Sequence, residues 1–265
     1  MFPIRDARGR AIAFGARALL PDQQPKYLNS PETPLFDKGR SLYNAQTARA
    51  AAGKAGAVIV TEGYMDVIAL AEAGFDHAVA PLGTAITENQ LRLIWRMAPE
   101  PVVALDGDRA GIAAAHRLIT LALPLLEAGR GLRFALMPAG QDPDDVIRSG
   151  GPQAMQTLLD ASVPAIDLIW SRATEGGRFD SPERRAALEA AFRTQLGAIG
   201  DATLRGHYEA EIRRRCARLF TPPRPERTAR GSGRPGARPP FGSRFPIPVD
   251  PTPSLRASPL ARSGP

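Results

Sequence analysis

The chain has 265 residues, is 43% hydrophobic but only 6% aromatic, and carries a net charge of +7. Its single cysteine, Cys216, excludes an intramolecular disulfide framework and any multi-cysteine zinc site within these residues. The opening MFPIRDARGR lacks the apolar core of a signal peptide, and no stretch approaches the ~18 apolar residues of a membrane helix, so a cytoplasmic protein with no membrane partner is expected.

Residues 1–54 hold nine basic and four acidic side chains. FPIRDARGRAIAFGAR predicts a hairpin turning at Arg8–Gly9, followed by a turn-rich stretch. From 55 to 150 the texture changes. Short apolar runs (AVIV at 57–60, HAVAPL at 77–82, PVVAL at 101–105, LRFALM at 132–137) alternate with the helical patterns YMDVIALAEAG, TENQLRLIWRM and RAGIAAAHRLITLALPLLEAG. Thr87 is placed to cap the second helix, and Pro124 to kink or end the third. Short strands separated by helices predict an α/β domain with a mainly parallel sheet. Residues 151–220 show only helical spacing, with Ser181–Pro182–Glu183 as a helix start, and predict a small helical subdomain without strands. Residues 221–265 contain 12 of the 26 prolines and eight arginines against Glu226 and Asp250. Such a segment cannot bury enough apolar surface to order itself, so a disordered linker is expected.

Seventeen basic and 21 acidic residues remain in 55–220, so an acidic middle lies between two basic flanks. Carboxylates follow three of the four apolar runs: Glu62 after AVIV, with Asp66 one helical turn on; Asp106 and Asp108 after PVVAL; and Asp142, Asp144 and Asp145 after LRFALM. Each has a plain structural reading. Asp142–Pro143 is a good helix start, Asp106–Gly107 a common turn, and Glu62 a polar strand end. Jointly they mean more. The carboxyl ends of parallel strands share one edge, where ligands bind, and acids gathered there repel one another unless cations intervene. Oxygen ligands with open positions suit Mg²⁺ together with substrate phosphates. Gly63, Gly107 and Gly111 would keep backbone bulk away from that edge.

VIVTEGYMDVIAL, ALDGDRAG and GQDPDDVIRSGG, in this order and spacing, resemble the Toprim domain of bacterial primases, some topoisomerases and some nucleases. FPIRDARGRAIAFGAR…PKYLNSPETPLFDKGRSLY is similar to the end of the basic catalytic subdomain of bacterial DNA primase, which narrows the resemblance to that family over roughly residues 1–220. It implies a Toprim-type, mainly parallel sheet flanked by helices over 55–150. Part of a basic α+β subdomain (1–54) would precede it, and a helical subdomain (151–220) and the linker would follow. It implies a metal site of Glu62, Asp66, Asp106, Asp108, Asp142 and Asp144 for Mg²⁺, with Mn²⁺ able to substitute. Glu62, Asp106 and Asp108 would carry catalysis, with Glu62 either a ligand or a general base. Arg17, Lys26 and Lys38 would face nucleotide and template. The implied activity is primer synthesis from ribonucleoside triphosphates on single-stranded DNA, the RNA primer remaining bound.

Two departures stand out: there is no N-terminal zinc module, and the resemblance ends before the family's helicase-binding domain, so a catalytic-core fragment is expected. A Toprim nuclease would use the same metals for hydrolysis, and a non-catalytic remnant would bind nucleic acid without turnover.

Overall fold

The computed structural model describes residues 1–20, 24–83 and 85–221. The expected disorder of the linker falls on residues 222–265, outside the described residues. Strands β1 (Phe2–Arg5) and β2 (Ala11–Arg17) form the predicted hairpin, and β3 (Tyr27–Asn29) adds antiparallel to β2. Asp6 accepts the backbone N–H groups of Arg8 and Arg10, and Gly9 has a φ of 82°, the left-handed conformation this turn requires. Ile4, Ala13, Phe36, Tyr64 and Leu82 form the small core beneath this sheet.

The chain then enters a second sheet. In order come β4 (Leu42–Tyr43), α1 (Ala45–Ala55), β5 (Ile59–Val60), α2 (Tyr64–Glu72), β6 (Ala78–Pro81), α3 (Glu88–Trp95) and β7 (Val102–Gly107). They are followed by α4 (Arg109–Ala122), β8 (Arg133–Ala139), α5 (Pro143–Asp160), β9 (Val163–Pro164), α6 (Ala165–Thr174), α7 (Pro182–Leu196) and α8 (Ala202–Phe220). The strand order is β4-β6-β5-β7-β8-β9; the four central strands are parallel and the two edge strands antiparallel. The expectation of no strand in 151–220 is therefore corrected by β9. Two residues after a long helix give no period-2 signal, and only their pairing with Arg133 and Phe134 makes them a strand.

Alternation sorts the side chains onto two faces. Val60, Val79, Val103, Leu105 and Phe134 point into one core with α1, α3, α4 and α6–α8. Ile59, Ala78, Ala80, Ala104, Ala135 and Met137 point into the other, with α2 and α5. The first core holds Leu168, Ile169, Leu188, Phe192 and the buried Cys216 beside the sheet residues, so the C-terminal helices share their apolar burial with the parallel sheet. Helix α4 ends at Ala122, and Pro124 sits in a following single 3₁₀ turn, as a ring that blocks the helical hydrogen bond requires. Helix α5 changes direction at Gly151, whose φ of 71° and ψ of −175° leave the helical region.

This topology decides where a site can form. From β5 the chain moves to β6 on one side, and from β7 to β8 on the other. The carboxyl ends of β5 and β7, which are adjacent, thus form the switch point at which open α/β sheets leave a crevice.

Candidate active site

Glu62 follows β5 and Asp106 occupies the last turn of β7, so both stand at that switch point. The β7–β8 register shifts between Leu105 and Gly107, a bulge that re-aims the strand end at Asp106. Gly107 and Gly111 are obligatory here. A Cβ on Gly107 would lie 1.9 Å from the Pro138 carbonyl oxygen, and one on Gly111 would lie 2.3 Å from that of Asp106.

Three helix N-termini converge on the same edge, each organised by an acid. Asp66 Oδ2 accepts the Gly63 N–H at 3.1 Å at the start of α2. Asp108 Oδ1 accepts the Gly111 N–H at 2.8 Å, capping α4. Asp142 Oδ1 accepts the Asp145 N–H at 2.7 Å, capping α5 with Pro143 in its first position. A loop that ends a strand and starts a helix delivers its cap residue to the carboxyl edge of the sheet, so a capping role and a place at that edge are not alternatives.

Glu62, Asp66, Asp106 and Asp142 line one cavity of about 830 Å³, together with Lys26 just before β3, Tyr27 and Asn29 from β3 and Arg117 from α4. Burial first, then the charges of Asp142 and Asp106, raise the Asp66 carboxyl to about 7. Burial, then Glu62 and Asp142, raise Asp106 to about 6. Glu62 is also raised, by burial and by Asp108, against a lowering hydrogen bond from the Asp106 backbone N–H. Like charges thus share this cavity, with Lys26 and Arg117 as the cations of its lining, and a divalent ion would relieve the remaining repulsion. The donor set is all oxygen, which fits Mg²⁺ or Mn²⁺. Among the described residues no three His, Cys, Asp or Glu side chains already close into a metal cage.

The remaining sequence-derived residues are placed differently. Asp108 is exposed and turned to its capping role, although its charge reaches Glu62 and Asp106. Asp144 pairs with Arg148 at 2.6 Å and lines a separate groove between α2 and α5. Arg17 lies over the Tyr27 ring and acts on Asp144 rather than lining the main cavity. Lys38 sits in a 3₁₀ turn (Lys38–Arg40), its carbonyl accepting from Gln90 Nε2, and does not line the cavity either. Of the three predicted cations, only Lys26 does.

Sequence reading missed Asn29, Tyr64 and Arg117. Tyr64, the first residue of α2, donates to Asn29 and packs against Phe2, Tyr27 and Tyr43, tying the small sheet to the acidic edge. Arg117 shares a helical face with Ala114, Leu118 and Leu121, but only the packing shows that this face lines the cavity.

The fold and the acid-bearing switch point define a Toprim-class α/β protein, and residues 56–135 match the family model of the Toprim domain. Residues 1–49 match that of the DNA primase catalytic core, N-terminal domain. The chain is 41% identical over 206 residues to the DNA primase of Rickettsia felis, across 78% of this chain and 34% of that protein. A solved structure of the DnaG catalytic core aligns with a TM-score of 0.76 at 39% identity, covering 83% of this chain and 71% of that one. A DnaG primase catalytic domain bound to single-stranded DNA aligns with a TM-score of 0.74 at 38% identity, covering 80% and 68%. The chain belongs to the DNA primase family, corresponding to its catalytic core, and spans about a third of the length of the curated relatives it matches.

Proposed function

We propose that this chain carries the nucleotidyl-transfer centre of a primase, extending a short RNA primer on single-stranded DNA from ribonucleoside triphosphates. The observation that carries the reading is the gathering of Glu62, Asp66, Asp106 and Asp142 in one cavity at the switch point, with Lys26 entering from the small sheet. In this reading Glu62, Asp106 and Asp142 hold divalent cations, and Asp66, Asp108 and Asp144 support them. A bound Mg²⁺ or Mn²⁺ supplies Lewis acidity that lowers the pKa of the primer 3′-hydroxyl and offsets charge on the phosphoryl oxygens. Lys26 contributes a point charge for the triphosphate, and Asn29 a neutral donor beside it. Arg17 and Lys38, outside the cavity, suit the approach of the template backbone rather than the reacting phosphate. The N-termini of α2, α4 and α5 add partial positive charge at the same edge, which favours a polyanion there. A replicative helicase is the expected partner of the longer family members.

The test is incorporation of labelled ribonucleotides on a single-stranded DNA template with Mg²⁺ or Mn²⁺. Metal-dependent incorporation that falls by at least about a hundredfold in Asp106→Ala is the expected result. Strand hydrolysis without incorporation would assign the same site to a nuclease. Binding without either reaction would leave a nucleic-acid-binding remnant. An unchanged rate in Asp106→Ala would remove the acidic cavity from the mechanism.

A further inference from the structure

Among the described residues Arg117 is the one arginine lining the acidic cavity, and it reaches that cavity from α4, an element to which sequence reading gave no binding role. Its neighbours on the lining face, Ala114, Leu118 and Leu121, are apolar, as are Val103 and Leu105 on the facing strand. Arg117 is itself exposed, so its guanidinium keeps solvent access beside these apolar walls. Arg117 lines the cavity from α4, whereas Arg17 lies over the Tyr27 ring outside it. Among the described residues Arg117 forms no salt bridge and no side-chain hydrogen bond, while nine other arginine–carboxylate contacts are made. Its fork of five donors is thus uncommitted at the mouth of a cavity that the proposed function fills with phosphate.

We propose that Arg117 is a phosphate-contacting residue of this cavity, gripping from α4 the ligand that Lys26 meets from the segment before β3. The inference rests on the reading of the cavity as a nucleotidyl-transfer centre and adds to it a residue for which only the tertiary structure argues. A planar guanidinium matches two phosphate oxygens at once, so the geometry of the contact matters as well as its charge. The phosphate could belong to the incoming triphosphate or to a nucleic-acid strand, and the two are separable by probe.

The experiment uses the full chain in Mg²⁺ and two labelled ligands, a fluorescent ribonucleoside triphosphate and a single-stranded oligo-dT, followed by anisotropy. Arg117→Ala should weaken at least one of them by about tenfold, the scale of one charge-assisted phosphate contact, and Arg117→Lys by less. Loss confined to the triphosphate assigns the nucleotide's phosphates, and loss confined to the oligonucleotide assigns the strand. Arg130→Ala is the charge-matched control. Arg130 pairs with Glu127 in the turn before β8, at the opposite edge of the sheet, and its loss should move neither affinity. Unfolding midpoints measured in parallel separate lost contact from lost fold, with Arg117→Gln as the milder substitution if the alanine variant is unstable. Affinities of Arg117→Ala equal to those of Arg130→Ala for both ligands would overturn the proposal. Wild-type chain that binds neither ligand would instead overturn the functional reading, and the proposal with it.

Discussion

Asp66 shows how burial and like charge act together on one carboxyl. It is 7% exposed, accepts one backbone N–H, and faces Asp142, Asp106 and Asp144. With a folded pKa of about 7 against an unfolded value of 3.8, the native state holds a proton that the unfolded chain has released. The stabilisation from that proton is complete below about 3.8 and is lost as pH rises through about 7. In chelator, Asp66→Asn should therefore match wild type near pH 4 and exceed it in unfolding free energy near pH 8, by an amount on the order of a few kcal/mol that raises its midpoint. Adding Mg²⁺ at pH 8 should raise the wild-type midpoint and shrink the gap. Thermal unfolding across that range decides it, and a gap that does not change with pH would refute the burial of charge at Asp66. Gly107 belongs at the same scale. No rotamer relieves a Cβ placed 1.9 Å from a backbone oxygen, so Gly107→Ala should destabilise by roughly 2 kcal/mol or more and displace Asp106, with activity falling beyond what stability explains. Urea unfolding and incorporation rate, measured on one preparation, test both parts.

Among the elements, α3 does more than cover the sheet. Its N-cap was expected at Thr87, but the capping box with Gln90 is seen only in the structure, which uses the same two side chains to hold the turn that carries Lys38. Gln90, 1% exposed, accepts the Thr87 N–H and donates Nε2 to the carbonyls of Lys38 and Ser41 at 2.9 Å each. Thr87 Oγ1 donates to the Gly39 carbonyl. Gln90→Ala would leave buried backbone groups unpaired, at a cost of about 1–3 kcal/mol. The expected signature is a lowered unfolding midpoint with faster amide exchange at residues 38–41, and unaltered exchange there would count against the clamp. The link spans about fifty residues of sequence, so no local pattern discloses it; a buried glutamine in an apolar helical stretch is the nearest hint. The acids were legible for the opposite reason. Each follows an apolar run directly, and the parallel topology those runs predict carries every strand end to the same edge.

At the scale of the molecule, sharing of the core is the feature with mechanical consequences. Phe192 on α7 stacks on Trp170 of α6 at 5.5 Å and lies in the same buried cluster as Val103 and Leu105 of β7. The α/β layer and the C-terminal helices should consequently unfold together. Phe192→Ala should cost about 3–5 kcal/mol while far-UV dichroism and tryptophan fluorescence still report one coincident transition. Two separated transitions would show that α6–α8 fold independently of the sheet. The sequence could assign these segments to helices by period but could not say what their apolar faces meet, since burial against a distant sheet leaves no mark on local spacing.

What the sequence determined by itself was the alternation of strand and helix, the hairpin at Arg8–Gly9, the end of α4 before Pro124, and the acidic residues at three strand ends. All of these are short-range consequences of side-chain period, ring geometry and capping. What the tertiary structure decided was which acids share a cavity. Glu62, Asp66, Asp106 and Asp142 do, while Asp108 turns to cap its helix and Asp144 turns to Arg148. It also decided that Lys26, rather than Arg17 or Lys38, enters that cavity and that Arg117 joins it. Residues two apart in a strand-to-helix loop point to different places, and only the packed arrangement of α2, α4, α5 and the small sheet fixes which of them face the same ligand.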